Sequence, residues 1–297
     1  MTHITEFIEP KIGGTVQEYL WNYDNQAIAV AYETRGQGMP LLLLPAFSTV
    51  SSRQEMQGMA EQLCDRFEVL ALDWPGFGNS DRPGVQYGPE FYHKFLADFV
   101  NSIFAQPIAL VAAGHGAGYA MKLAKTHPER VSKVVLVAPT WLGPLRIMGV
   151  PETVRDFVRE TVRTPGIGEF LYDLNTHPTF VEFMYKQHVF VNPAKLTTEF
   201  IAQKRDSTQH PGGRFAPVAF VTGTLDPAGD RTQILAQFQP LPVPVKVIVA
   251  SLAPSASQSV MEEVAQLFGV ESARVAGSLG MHEEYAHEVV EAIGDFL

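Results

Sequence analysis

The chain of 297 residues has a single cysteine, Cys64, so no disulfide can close within it, a usage that suits a reducing compartment. It is also short of positive charge. Its 22 Lys and Arg stand against 32 Asp and Glu, a net −10, and no basic cluster offers a footprint for nucleic acid or an anionic membrane. Long apolar runs are missing too: "PLLLLPAF" is far too short to span a bilayer. The opening "MTHITEFIEPKIGG" has no basic head followed by an apolar stretch, so no secretory signal is expected. These absences together predict a cytoplasmic protein. There is no internal repeat and no low-complexity tract; the nearest is "QPLPVPVKV", whose alternating prolines predict a stiff lead into a strand. No His, Cys, Asp or Glu grouping has zinc-ligand spacing and no Gly-Lys-Ser/Thr loop exists, so neither a metal nor a cofactor is expected.

What is present is an alternation. Short β-type runs are separated by helical stretches, the pattern of a mostly parallel sheet with helices on both faces. "VQEYLWNYD" and "AIAVAYETRG" predict an opening hairpin. Strands are expected at 40–46, 67–74, 108–113 and 133–139, with helices near 54–64, 89–103 and 117–128. Residues 142–212 hold no convincing buried strand. They offer short helical patterns broken by Pro151, Pro165, Pro178 and Pro193, with Phe170, Tyr172, Phe180, Phe183, Tyr185 and Phe200 among them. The α/β pattern resumes with strands at 218–223, 243–250 and 272–277, a helix near 256–268 and a terminal helix. The expected organisation is a core (1–141), a helical cap whose aromatics mostly pack its own interior (142–212), and the rest of the core (213–297).

The stretch "LVAAGHGAGYAMKLAK" (110–125) is built as a strand turning sharply into a helix. Such a turn commonly carries a nucleophile in the pattern Gly-x-Ser-x-Gly. With Gly114 and Gly118 as the outer glycines, the centre is Gly116. "GHGAGY" does not complete a dinucleotide fingerprint, because its sixth position is Tyr119 rather than glycine.

Together with "ALDWPGFGNSDRP" (71–83) and the closing "GSLGMHEEYAHEVVEAIGDFL", this chain resembles the α/β-hydrolase superfamily. "PAFSTVSSRQEM" (45–56) is similar to a subgroup of cyanobacteria and plastids. The resemblance implies an eight-stranded α/β-hydrolase fold with a cap after the sixth strand. It also implies a nucleophile at Gly116 and a base at His282. Glycine has no side chain and cannot attack a carbonyl. The orienting acid should stand one helix and one strand before the histidine. Ala253, 29 residues before His282, meets that spacing, whereas Asp226, which looks like the acid at the end of a strand, lies 56 residues before it. The acid position is therefore read as Ala253, with Asp226 the alternative. The resemblance places the oxyanion-hole donors at the backbone N–H groups of Phe47 and Ala117. His115 has an ordinary structural explanation beside the turn. Glu283, Glu284 and His287 suit a solvated helix start.

Two readings follow. In one, the protein binds a small apolar or amphipathic molecule between core and cap without hydrolysing it, and His282 is a relic. In the other it is an enzyme, esterase-like or lyase-like, in which His282 acts with a backbone oxyanion hole and no serine.

Overall fold

The computed structural model describes residues 9–297; residues 1–8, part of the stretch read above for a secretory leader, lie outside them. The chain opens with β1 (Thr15–Tyr23) and β2 (Gln26–Arg35), paired antiparallel. Asp24 and Asn25 join them with φ of +47° and +63°, the left-handed pair that a two-residue hairpin turn requires. Then come β3 (Met39–Leu44), α1 (Gln57–Leu63), β4 (Phe67–Leu72), α2 (Pro89–Ile103), β5 (Ile108–Ala113), α3 (Gly116–Thr126) and β6 (Val131–Val137). A helical segment follows: α4 (Pro144–Ile147), α5 (Glu152–Arg163), α6 (Ile167–Asn175), α7 (Pro178–Met184) and α8 (Thr198–Asp206). The chain closes with α9 (Phe215–Val221), α10 (Arg231–Ala236), β7 (Val245–Ala250), α11 (Ser255–Ala265), β8 (Val270–Val275), α12 (Met281–Glu284) and α13 (Ala286–Ile293).

The eight strands form one sheet in the order β1-β2-β4-β3-β5-β6-β7-β8, parallel from β4 to β8. Leu41 to Leu44 and Ile108 to Ala113 are buried along their whole runs, because a central parallel strand is covered on both faces. One expected strand is absent. Residues 218–223 lie in α9 and the turn after it, since β6 pairs directly with β7 (Val134 opposite Val245) and leaves no vacancy between them. Pro217 in the first turn and Gly223 (φ +73°) beyond the last suit a helix.

The "DWPGFGNS" segment is a structural turn. Asp73 accepts from Asn79 N (2.8 Å) and Arg53 N (2.6 Å), and pairs with the Arg53 guanidinium, whose Nε reaches Glu33 at 3.1 Å. All three side chains are fully buried, and a Cβ on Gly78 would run into the Asp73 carboxylate. This network fixes the loop after β3 that leads to the site.

Candidate functional site

At the end of β5 the chain must turn into α3 within two residues. Gly114 makes that turn with φ +50°, a conformation glycine enters at little cost. Its N–H donates to Val137 O (3.1 Å), and its carbonyl accepts from Ala117 N (3.2 Å) and Thr140 N (3.1 Å), pinning the elbow between β6 and α3. The expectation that Gly116 centres the turn is corrected here: Gly116 already begins α3, outside the left-handed region. The frame Ala112-x-Gly114-x-Gly116 fits the same small-residue pattern, with alanine at its first position.

Neither glycine faces open space. A Cβ on Gly114 would stand 2.9 Å from Ala46 Cβ, and one on Gly116 would stand 3.2 Å from Pro45 O. Beneath them the buried Phe47 ring stacks on Trp74 (4.8 Å between centroids), and Trp74 Nε1 donates to Pro45 O (2.9 Å). The expected oxyanion pair is also corrected. The N–H of Ala117 is committed to Gly114 O, while the N–H groups of Phe47 and His115 donate to nothing among the described residues.

His282 is buried in α12, but its recorded partner is a residue that sequence reasoning missed. Nε2 lies 3.3 Å from Glu55 Oε2, a contact that needs the proton on Nε2, and Nδ1 has no hydrogen-bond partner. Glu55 belongs to a larger ionic cluster. Lys204, reaching in from α8, places Nζ 2.8 Å from Glu283 Oε1 and 3.7 Å from Glu55 Oε1. Burial pulls the Lys204 ammonium down, but the Glu283 and Glu55 carboxylates outweigh it and hold it above its ordinary value. Burial pushes Glu283 up, against the opposing pull of Lys204. The expected solvated helix start is thus largely buried. Glu284, too, is enclosed and accepts from Val191 N (2.8 Å) and Asn192 N (2.6 Å). Only His287 stands exposed as expected.

Ala253 lies in the loop between β7 and α11, with only a methyl group to offer. Asp226 follows α9 and is buried: Oδ1 accepts from Gly143 N (2.8 Å), and Oδ2 meets Arg146 NH1 (3.0 Å). Oδ1 also lies 3.4 Å from His115 Nε2, and His115 Nδ1 is 2.6 Å from Thr140 Oγ1. The histidine placed beside the turn is therefore hydrogen-bonded to a half-buried alcohol, while its Nε2 lies near a buried carboxylate without a hydrogen bond to it.

The aromatics of the helical segment divide. Tyr185, Phe190 and Phe200 pack with Val50, Val181 and Ile201 into a small core, while Phe170, Phe180 and Phe183 stand exposed. Where this segment meets α1 and α12 there is a cleft of about 410 Å³. Phe190 and Phe200 give it an apolar side, and Glu55, Glu283, Gln203 and Lys195 a polar one. A second, of about 470 Å³, runs between β8 and α13. Among the described residues no group of three His, Cys, Asp or Glu could hold a metal, and no helix is long and apolar enough to cross a membrane.

A family model described as alpha/beta hydrolase fold matches residues 39–272. The chain is 26% identical to haloalkane dehalogenase from Agrobacterium fabrum over 151 residues, 50% of this chain and 48% of that protein. It is 32% identical to pimeloyl-(acyl-carrier protein) methyl ester esterase from Aeromonas hydrophila over 111 residues, 37% of this chain and 42% of that one. The curated relatives are matched over a third to a half of their length, from 31% to 48%. Among solved structures, wild-type Cfl2 from Burkholderia cenocepacia superposes with a TM-score of 0.71 at 21% identity, over 97% of each chain.

Proposed function

The chain belongs to the α/β-hydrolase fold family, and we propose that it is a member without serine chemistry, binding a small amphipathic molecule beneath a helical cap of residues 142–212. One observation carries this reading. The residue that turns β5 into α3 with left-handed backbone is Gly114, and the space its Cβ would need lies against Ala46. We therefore assign the nucleophile position to Gly114, with Ala253 at the acid position. His282 takes the base position, turned to Glu55. No side-chain nucleophile is available on that frame.

For the ligand, the cleft at the cap seam has the ordinary volume of a small-molecule site, about 410 Å³. Its mixed lining favours an amphipathic molecule over a purely apolar one. Its apolar part would lie on Phe190 and Phe200 and its polar group toward Gln203 or the Glu55–Lys204 cluster. The lone cysteine and negative charge suit a cytoplasmic setting.

A fluorophosphonate probe tests the chemistry: no label should appear at residues 110–120, and stoichiometric label there would refute the reading. The dye N-phenyl-1-naphthylamine, an aromatic body with one polar N–H, tests the cleft. It should bind in the micromolar range, and more weakly to Gln203→Trp. Unchanged binding would remove the cleft as the site.

A second reading, hydrolysis without a serine, has one contact in its favour: Thr140 Oγ1 lies 2.6 Å from His115 Nδ1, with the Asp226 carboxylate 3.4 Å from the other ring nitrogen and not hydrogen-bonded to it. Probe label mapped to Thr140 and lost in Thr140→Val would favour it.

A further inference from the structure

We infer that the outer face of α5, α6 and α7 joins two copies of this chain. The observation is an inverted helix. On α5 the arginines at positions i, i+4 and i+8 turn inward and bond the core: Arg155 to Thr222 O (2.7 Å), Arg159 to Thr224 Oγ1 (3.0 Å), and Arg163 to Val85 O (3.1 Å) and Gly84 O (3.0 Å). Part of the apolar side is left outside, with Phe157 72% exposed and Val154 beside it, while Val158 and Val162 are half-buried. An amphipathic helix on a monomer's surface places these faces the other way round.

The neighbours continue the pattern. Ile167, Phe170 and Leu174, at i, i+3 and i+7, stand exposed along α6, and Phe180 and Phe183 expose paired rings on α7 with centroids 6.5 Å apart. Helix α5 packs on α6 and α6 on α7, so the three stripes lie on neighbouring helices. With ~200 Å² for a whole phenylalanine side chain, these six residues present roughly 600–700 Å² of apolar surface. That is at or above the largest patch of an ordinary monomer, about 300–600 Å². It approaches the ~800 Å² that each partner brings to a standard stable interface.

The charges at the rim select the occupant. Glu169 pairs with Arg214 and Asp173 with Arg205 within the chain, while Arg159 serves both Asp156 and Glu160. An identical rim brought up by a two-fold axis therefore meets mostly paired charges, with one carboxylate of α5 in excess on each copy. The same pairing leaves no free cluster of positive charge to hold an anionic bilayer, and the chain's net −10 opposes one.

The test is sedimentation velocity and light scattering on the full chain at tens of micromolar. The expected species has twice the 32.7 kDa monomer mass. Phe157→Glu/Phe170→Glu should weaken association by roughly a hundredfold or more, as expected when two central aromatic anchors are lost. Because both side chains are exposed, its circular dichroism should match the wild type, and its melting temperature should fall only by what the lost association contributed. A monomeric wild type, a charged variant that stays dimeric, or a wild type that floats as a monomer with phosphatidylcholine vesicles would each overturn the proposal. None of these outcomes depends on the cleft or on the chemistry of the elbow.

Discussion

Replacing Gly114 by serine is the sharpest test of the elbow. The substitution asks a residue with a side chain to hold φ +50° and places its Cβ 2.9 Å from Ala46 Cβ. The left-handed backbone costs about 1–2 kcal/mol for a non-glycine residue. Overpacking at a site closed by β-strand ends adds about 1–3 kcal/mol. Gly114→Ser should therefore lose about 2–5 kcal/mol in equilibrium urea denaturation. Ala46→Gly removes the methyl that is struck, so the double variant should recover about 1–3 kcal/mol relative to additivity, as residues in contact do. Gly116→Ser is the control. Its backbone is helical and its Cβ needs only a few tenths of an ångström from Pro45 O at 3.2 Å, so about 1 kcal/mol should suffice. The relieved Gly114→Ser/Ala46→Gly variant should still fail on p-nitrophenyl acetate, because His282 is paired with Glu55 and position 253 has no acid. A Gly114→Ser protein as stable as wild type, or no coupling to Ala46, would refute the packing argument. Rapid turnover by the double variant would refute the reading of His282.

Further expectations concern buried charge. Burial, with Lys122 as a lesser cause, pulls His93 down to about 4, so the fold holds it neutral while the unfolded chain titrates near 6.5. Its contribution is full above that value and lost as pH falls toward 4, about 3 kcal/mol in all, and His93→Phe should flatten that part of a stability–pH profile. Lys204→Met leaves Glu55 and Glu283 enclosed without their cation and should cost about 3–5 kcal/mol at pH 8. Because burial raises Glu283, protonating it relieves the repulsion, and the deficit relative to wild type should shrink at pH 5; a pH-independent deficit would count against the ionic account. Asp226→Ala strands the Gly143 N–H and removes the carboxylate partner of Arg146, and should cost about 3 kcal/mol by chemical denaturation, with a loss under 1 kcal/mol marking the cluster as unimportant to the fold.

Much of the fold was legible because burial writes itself into composition. Leu41–Leu44 and Ile108–Ala113 sit inside a sheet covered on both faces, and such strands can only be continuous apolar runs. The hairpin was legible by alternation in its two strands. Residues 218–223 misled for the same reason that the true strands did not: "VAFVTG" is apolar throughout, and a short apolar run does not distinguish a strand from one buried helical turn. What decides is whether the sheet has a vacant edge, and the β6–β7 pairing closes it.

The ionic cluster was illegible for a different reason. Glu55 precedes His282 by more than two hundred residues and Lys204 comes from a third segment, so no local spacing announces them. The helix-start reading of Glu283 and Glu284 was sound as far as α12 alone goes, but it could not foresee the α8 lysine or the backbone of Val191 and Asn192 closing over them.

The elbow shows the limit most clearly. In a hydrolase of this fold the serine marks its own position, and the glycines around it are counted from there. Here Gly114, Gly116 and Gly118 alternate, so the same five-residue pattern fits in two frames two residues apart. Composition cannot choose between them, because each frame has a glycine at its centre. The backbone chooses by geometry: one residue must leave the extended strand and reverse before α3 begins, and Gly114 is the residue that does so. The contacts follow from that choice. Thr140 and Val137 bond Gly114 rather than Gly116, and the Ala117 N–H is used within the turn, leaving the N–H of His115 as the free donor. On the proposed assignment no serine marks the nucleophile's address, and that position has to be located by the shape of the turn.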